Sequence, residues 1–289
     1  MRPLRAATRG SPLARWQAEH VAALLGAADP SITVELVVVE TQGDRQLDRP
    51  IWEIGGKGVF VKEVQAAVLD GRADLAVHSA KDLPSLSTPG LVMAAVPERG
   101  DARDALVGCR LTDLPLGAEV ATGSLRRQSQ LAAARPDLRF VGLRGNMHTR
   151  LAKAADHAAI VVAAVALDRL GLAEHIAERI STDVVLPQVG QGALAIECRS
   201  GDDLEDVLAA ISHADSRRCV DAERAFLAAL GGDCSLPAAG YATISGGEVT
   251  IEGRLLSLDG RTVLRQAGPD GAEVARHLLA HGGHELLGR

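Results

Sequence analysis

Three loops of this chain place a hydroxyl or amide side chain beside arginine, at points where a predicted strand ends and a helix begins. They are Thr8-Arg9-Gly10-Ser11, Gly123-Ser124-Leu125-Arg126-Arg127, and Arg144-Gly145-Asn146, with Arg150 one turn further on. A helix N-terminus offers unpaired backbone N–H groups, and an adjacent guanidinium can bind a carboxylate through two hydrogen bonds. Capping by Ser11 or Ser124, with solvated arginines, is the alternative for any single loop. Three such loops in one α/β chain favour an anion site, because ligands collect at the carboxyl ends of parallel strands.

Asp82 is the candidate for proton transfer. It follows a predicted buried strand at residues 73–78 and lies next to Lys81 in the stretch His78-Ser79-Ala80-Lys81-Asp82-Leu83-Pro84. A carboxylate in this position can move a proton or stabilise a cation. The alternative is that Asp82 opens a turn before Pro84, and the sequence pattern favours neither interpretation.

Lys57 lies in the glycine-rich stretch Gly55-Gly56-Lys57-Gly58, which precedes a predicted helix. The stretch lacks the residue order of a P-loop and of a dinucleotide-binding loop, so nucleotide binding is disfavoured. We predict a flexible loop that places Lys57 near the start of the helix, with a solvated lysine as the alternative.

Cys234 is the thiol that we expect to be accessible, because it lies in the loop Gly231-Gly232-Asp233-Cys234-Ser235. Cys198 and Cys219 lie in apolar surroundings, where cysteine acts as a small hydrophobic residue. The cysteines form no C-x-x-C pair, and no histidine and amide constellation suggests a hydrolase nucleophile. We predict no metal site, since His277, His281 and His284 are better explained as a solvated helix end.

The composition favours a small anionic ligand. The net charge is −6, yet residues 122–150 contain six arginines and one acid. Nucleic acid is disfavoured because the chain has only three Phe, two Trp and one Tyr to stack on bases. With no long apolar run and no signal-peptide pattern at the N-terminus, we expect a cytoplasmic protein without a membrane segment.

The element pattern predicts two α/β units and a smaller C-terminal module. In the first unit we expect a largely parallel sheet with strands at 4–7, 33–40 and 73–78, and a helix after Ser11 that buries Leu13, Trp16, His20, Val21 and Leu24. The second unit has predicted strands at 119–121, 139–143 and 159–165. Residues 193–198 are expected to return to the first sheet. Hairpin signals at Gly246-Gly247 and Asp259-Gly260 predict three antiparallel strands between two helices.

Taken in order, these segments resemble the porphobilinogen deaminase family from Ala7 to about Gly240. The resemblance is carried by Ala7-Thr8-Arg9-Gly10-Ser11-Pro12-Leu13-Ala14, Thr41-Gln42-Gly43-Asp44, the Lys57 and Asp82 stretches, Ser124-Leu125-Arg126-Arg127-Gln128, Leu143-Arg144-Gly145-Asn146, Val189-Gly190-Gln191-Gly192-Ala193 and the Cys234 loop. It implies three domains. Two are α/β units like those of periplasmic binding proteins, at residues 1–97 with 190–211 and at 98–189, flanking a cleft; the third is a small α+β domain at 212–289.

The resemblance also implies an activity: head-to-tail condensation of porphobilinogen, with loss of ammonia, on a dipyrromethane cofactor joined to Cys234, followed by hydrolytic release of a linear tetrapyrrole. Asp82 would be the catalytic residue. The residues implied to bind the cofactor are Lys81, Ser124, Arg126, Arg127, Arg144, Asn146 and Gln191. Those implied to bind the substrate's carboxylates are Arg9, Ser11, Lys57, Arg150 and Arg169.

Three departures from the family pattern bear on this expectation. Gly123 stands where relatives commonly have serine, Asp233 stands where glycine often precedes the cofactor cysteine, and the C-terminal domain is short. The resemblance implies a monomer.

The competing hypotheses are a non-catalytic two-lobed binding protein, which usually has an export signal or a DNA-binding module, and a regulatory or nucleic-acid-binding protein.

Overall fold

The computed structural model describes residues 2–45, 58, 60–231 and 236–288. Within these ranges the strands are β1 (Leu4–Arg9), β2 (Val34–Val39), β3 (Leu75–Ser79), β4 (Leu91–Ala95), β5 (Asp104–Val107), β6 (Glu119–Ala121), β7 (Arg139–Val141), β8 (Ala159–Ala163), β9 (Ile176–Arg179), β10 (Leu194–Arg199), β11 (Ala238–Ser245), β12 (Glu248–Leu256) and β13 (Val263–Gly268). The α-helices are α1 (Pro12–Ala28), α2 (Gln42–Arg45), α3 (Lys62–Leu69), α4 (Leu125–Ala134), α5 (Met147–Ala152), α6 (Ala164–Arg169), α7 (Leu204–Ala209), α8 (Ala214–Ala229), α9 (Gly271–Leu278) and α10 (His284–Leu286).

The chain forms two compact units. The first comprises residues 1–100 and 193–218, and the second comprises 101–192 and 219–289. No helix in the described ranges combines the length and the apolar character that a bilayer crossing requires.

The first unit is built on a five-stranded sheet of order β2-β1-β3-β10-β4. Strands β2, β1 and β3 are parallel, whereas β10 pairs antiparallel with both β3 and β4. Strand β10 therefore returns to the first sheet, as the sequence predicts. Leu25 of α1, Leu75 of β3 and Ile196 of β10 are fully buried in the core of this unit.

The second unit contains a five-stranded sheet of order β7-β6-β8-β5-β9. Here β7, β6 and β8 are parallel, and β5 is antiparallel to β8 and β9. Leu106, Leu131 and Ile180 fill its core without exposure to solvent.

The C-terminal sheet also lies in the second unit and is antiparallel, in the order β11-β12-β13. Its hairpins turn at the predicted dipeptides Gly246-Gly247 and Asp259-Gly260. The ring of Phe226, on α8, is fully buried beneath the sheet and packs with Leu255 and Val274. Asp270 caps α9, because its side chain accepts a hydrogen bond of 3.0 Å from the backbone N–H of Glu273.

The predicted fold class is confirmed: two α/β sheets and a separate three-stranded antiparallel sheet. The expectation of a largely parallel first sheet is wrong, since two of its four strand pairings are antiparallel. The buried face of α1 is also corrected, because it consists of Ala14, Gln17, Ala18, Val21 and Leu25. The division into three domains with the boundaries given above stays a prediction.

Candidate functional site

The parallel strands of the first unit end at one edge of the sheet, and the loops that follow them form a pocket. Arg9 ends β1, and Ser11 caps α1 by accepting a hydrogen bond of 3.3 Å from the N–H of Ala14. Asp82 ends a short 3₁₀-helix, Ala80–Asp82, that begins directly after β3. The pocket has a volume of about 60 Å³, and its lining residues are Arg9, Ser11, Leu13, Ala14, Gln17, Phe60, Val61, Val77, His78, Ser79 and Asp82. The structure thus brings Arg9, Ser11 and Asp82 together.

An aromatic ring flanks the Arg9 side of this pocket. The guanidinium carbon of Arg9 lies 4.1 Å from the centroid of the Phe60 ring, which is a cation–π contact. The ring packs directly on the backbone of Gly43, and a Cβ atom at that position would lie 2.8 Å from Cζ of Phe60. Glycine at position 43 therefore makes room for the ring beside Arg9.

Gln17 is a pocket residue that the sequence interpretation missed. Its side chain is almost fully buried, and its Nε2 donates a hydrogen bond of 2.8 Å to Oγ of Ser79. Lys81 lies in the same 3₁₀-helix as Asp82 but is not one of the lining residues. Lys57 lies outside the described residues.

In the second unit, as in the first, polar side chains cap the helices that follow the strands, here at the carboxyl ends of β6 and β7. Ser124 caps α4 by accepting from the N–H of Arg127 at 3.5 Å, and Asn146 caps α5 by accepting from Thr149 at 3.0 Å. Nε of Arg150 donates to the carbonyl of Gly145 at 2.8 Å, so this side chain folds back on its own loop. Capping is thus one role of Ser124 and Asn146.

Arg126 and Arg127 are buried around the carboxylate of Asp104, which itself is fully buried at the start of β5. Nη1 of Arg126 lies 2.8 Å from Oδ2 of Asp104, and Nη2 of Arg127 lies 2.7 Å from Oδ1. Gln191 joins the cluster, because its Nε2 donates to Oδ1 of Asp104 at 2.9 Å. The structure therefore brings together Arg126, Arg127 and Gln191, and adds Asp104, which the sequence interpretation did not select.

Burial and the neighbouring charges shift the pKa values of Asp104 and Arg126 in opposite directions. Burial alone would raise the pKa of Asp104, but the charges of Arg126 and Arg127 outweigh it and hold the pKa below its usual range. Burial lowers the pKa of Arg126, and the charge of Asp104 opposes that effect. Two buried guanidinium cations and one carboxylate leave the cluster with a net positive charge, which suits an anionic ligand.

Two donor atoms of Arg126 make no hydrogen bond to the described residues. Its Nη1 donates to the carbonyl of Leu186 at 2.7 Å, but Nε and Nη2 are buried without a hydrogen-bond partner among the described residues. A buried unpaired donor costs free energy, and a carboxylate could satisfy both N–H groups at once. These atoms therefore fit a ligand that carries carboxylates.

Arg144 follows β7 and Arg169 lies beyond β8, which are the two strands that flank β6. Arg169 ends α6, which directly follows β8, and its Nη2 donates to the carbonyl of Gly192 at 2.7 Å. Burial lowers the pKa of Arg169 to about 10, so the group stays cationic near neutral pH. Burial also lowers the pKa of Arg144. Gly123 allows the ends of β6 and β7 to approach, because a Cβ atom there would lie 2.7 Å from the carbonyl oxygen of Leu143.

The C-terminal sheet is tied to this part of the second unit through two buried side chains. Glu223, on α8, accepts hydrogen bonds from the N–H groups of Gly190 at 2.6 Å and Ala242 at 2.9 Å. Arg254, on β12, donates to Oε1 of Gln130 at 3.2 Å, one turn of α4 beyond Arg126. Cys234 lies outside the described residues.

Two family models together match almost the whole chain. One, described as porphobilinogen deaminase, dipyromethane cofactor binding domain, matches residues 4–206, and the other, described as porphobilinogen deaminase, C-terminal domain, matches residues 217–280. Curated relatives that match this chain are also named porphobilinogen deaminase. The protein of Syntrophotalea carbinolica is 47% identical over 98% of this chain and 95% of its own length, and that of Nitratidesulfovibrio vulgaris is 46% identical over 99% and 96%.

One solved structure shows a weak likeness. A periplasmic solute-binding protein from Bordetella bronchispeptica matches with a TM-score of 0.37 and 14% identity, over 75% of this chain and 79% of that chain. A likeness at this level supports no inference about the present chain.

Proposed function

This chain belongs to the porphobilinogen deaminase family, and from that premise we propose that it joins four porphobilinogen molecules head to tail, with loss of ammonia from each. The product, released by hydrolysis, is the linear tetrapyrrole hydroxymethylbilane. This activity makes the protein a transferase of tetrapyrrole and haem biosynthesis. The observation that carries the proposal is the family match over residues 4–206 and 217–280.

The cofactor of this family is a dipyrromethane, and the residues of the second unit fit it. Such a group carries acetate and propionate side chains, which need cationic partners. The buried Nε and Nη2 atoms of Arg126 are donors of the required kind. When bound, the dipyrromethane supplies the pyrrole carbon to which the first substrate unit is joined. We propose that Lys81, Ser124, Arg126, Arg127, Arg144, Asn146 and Gln191 hold it, and that Cys234 attaches it through a thioether.

Porphobilinogen also carries two carboxylates, so its binding calls for further cations. We propose that Arg9, Ser11, Lys57, Arg150 and Arg169 bind these groups. The pocket of the first unit supports this assignment, because Arg9 and Ser11 line it together with Asp82. The ring of Phe60 at 4.1 Å restricts the positions open to the Arg9 guanidinium.

Asp82 is the proposed catalytic residue. Its carboxylate lines the pocket and is half-buried, so a substrate held there by Arg9 can reach it. Asp82 would promote the departure of ammonia, stabilise the cation that this leaves on the pyrrole, and accept a proton after the new bond forms.

We further propose that the protein acts in the cytoplasm as a monomer. Porphobilinogen is then its only required partner, and neither nucleic acid nor a membrane takes part. These points follow from the family and from the composition of the chain.

Intact mass spectrometry of the purified protein, together with a turnover assay, tests the proposed function. We expect a mass excess equal to two linked pyrrole units and the conversion of porphobilinogen into a linear tetrapyrrole. A two-lobed binding protein would instead show the bare mass and leave porphobilinogen unchanged, and that result would refute the proposal.

Replacing Arg126 by leucine should weaken carboxylate binding. The variant leaves a cofactor carboxylate unpaired at a cost of about 1.5–3 kcal/mol, so the dipyrromethane should be bound roughly 10- to 100-fold less tightly, and porphobilinogen consumption should fall with it. Asp104 also loses one of its two cationic partners, and thermal unfolding should occur at a lower temperature. Arg139→Leu is the matched control, because Arg139 is exposed and starts β7 at the opposite end from the site. Equal activity of the Arg126 variant and this control would contradict the assignment.

A further inference from the structure

Among the described residues, Asp104 is the one acidic side chain paired with Arg126 and Arg127, and neither the motifs nor the proposed mechanism accounts for it. We propose that Asp104 is a positioning residue for carboxylate binding, which holds the guanidinium groups of Arg126 and Arg127 in the orientation that the ligand requires. The inference deepens the proposed function and rests on it.

The two carboxylate oxygens of Asp104 face different arginines. Oδ1 accepts from Nε of Arg127 at 2.9 Å and from Nε2 of Gln191 at 2.9 Å. Oδ2 lies 2.8 Å from Nη1 of Arg126, and the two groups attract each other as an ion pair. One carboxylate thus orients both cations and an amide from two other parts of the chain.

Arg127 and Arg126 differ in how many of their donor atoms have partners. Arg127 is held by Asp104, by the carbonyl of Val161 at 3.2 Å and by Oε1 of Gln191 at 3.5 Å. Arg126 is anchored through Nη1 alone, and its Nε and Nη2 have no partner among the described residues. Asp104 therefore fixes one edge of the Arg126 guanidinium and leaves the other edge available for a carboxylate.

Positioning and simple charge balance predict opposite results when Asp104 is neutralised. If Asp104 only reduced the positive charge of the cluster, its removal would strengthen the binding of an anion. If it orients the guanidinium groups, its removal lets two adjacent cations repel each other, and binding weakens despite the added charge.

Asp104→Asn tests the proposal, because asparagine preserves the volume of this fully buried side chain and removes its charge. We expect cofactor occupancy, measured by intact mass, to fall, because the loss of one charge-assisted hydrogen bond weakens non-covalent binding at least about tenfold. In the loaded fraction, KM for porphobilinogen should rise by a similar factor while kcat changes little. Parental occupancy and KM, or a lower KM, would overturn the proposal.

Asp101→Asn is the matched control, since Asp101 pairs with Arg103 at 2.7 Å and with Arg179 at 3.0 Å, outside the cluster. It should keep parental occupancy and KM. If occupancy falls in both variants in step with their melting temperatures, Asp104 is merely structural and the proposal fails.

Asp104→Glu separates charge from packing. Glutamate keeps the carboxylate but is larger, so positioning predicts an occupancy closer to the parent than that of the Asn variant, whereas space-filling predicts the reverse order. Should the Asn variant fail to fold, the Glu variant decides alone: near-parental occupancy and KM support the proposal, and a folded Glu variant that carries no dipyrromethane overturns it. A parent protein without the dipyrromethane mass refutes the proposed function instead, which keeps the two failures distinct.

Discussion

Alanine in place of Cys234 should leave the purified protein at its bare mass and abolish tetrapyrrole synthesis. The proposed thioether needs a nucleophilic sulfur, and alanine has none. The other cysteines are poor substitutes, because Cys198 and Cys219 are buried. Burial also raises the pKa of the Cys198 thiol to about 11, so that thiol is neutral near pH 7. Intact mass spectrometry and product absorbance after oxidation measure the two effects.

Cys109→Ala is the control for this prediction. Of the three cysteines in the described ranges, Cys109 alone is partly exposed, so it is the next most accessible thiol. Its replacement should preserve both the mass excess and the activity. A Cys234 variant that still carries two pyrrole units, or a Cys109 variant that loses them, would show that the cofactor is attached at a residue other than Cys234.

The caps of the site could be predicted from the sequence because each is a local structure. Ser11, Ser124 and Asn146 accept hydrogen bonds from backbone N–H groups only three residues further along the chain. The interaction is therefore contained in a short stretch of sequence, and preference for these residue types at the N-cap is strong.

Asp104 was missed because its partners are distant in sequence. Arg127 lies 23 positions away and Gln191 lies 87 positions away, so no local spacing records the cluster. The pairing of β5 with β8 and β9, and of β8 with β6, brings these segments together. A carboxylate at the start of the apolar run Ala105-Leu106-Val107 was the available signal, because an unpaired charge is rarely buried.

The buried face of α1 was predicted wrongly because hydrophobicity alone chose it. Trp16 and His20 stack at 4.9 Å and are only half-buried, whereas the small residues Ala14 and Ala18 face the core. Gln17 lies on the buried face because Ser79 accepts its hydrogen bond. A polar residue at that position became understandable only when β3 was known to lie opposite.

The direction of β10 was the other feature that the sequence could not predict. The run that forms β10 is apolar and β-branched in part, which indicates a buried strand but not its orientation. Its antiparallel pairing with β3 and β4 follows from the route of the chain through the second unit before it returns.

Asparagine in place of Asp82 should reduce kcat by roughly 10²- to 10⁴-fold, the usual contribution of a general acid–base group. Asparagine has nearly the same size, so the pocket that Asp82 shares with Arg9 and Ser11 should keep its shape. It cannot accept a proton or stabilise a cation by charge. The variant should therefore still carry the dipyrromethane, and KM for porphobilinogen should change little.

Ammonia release and tetrapyrrole formation, measured separately, locate the defect. If Asp82 acts on the departure of ammonia, both rates should fall together, because each later step waits for that departure. Asp70→Asn is the matched control, since Asp70 is exposed, pairs with Arg72 at 3.4 Å and directly follows α3, outside the pocket. A normal kcat in the Asp82 variant would remove the residue from catalysis. A loss of bound dipyrromethane together with a raised KM would instead make Asp82 a binding residue, because a group that acts only on the reacting atoms should leave both unchanged.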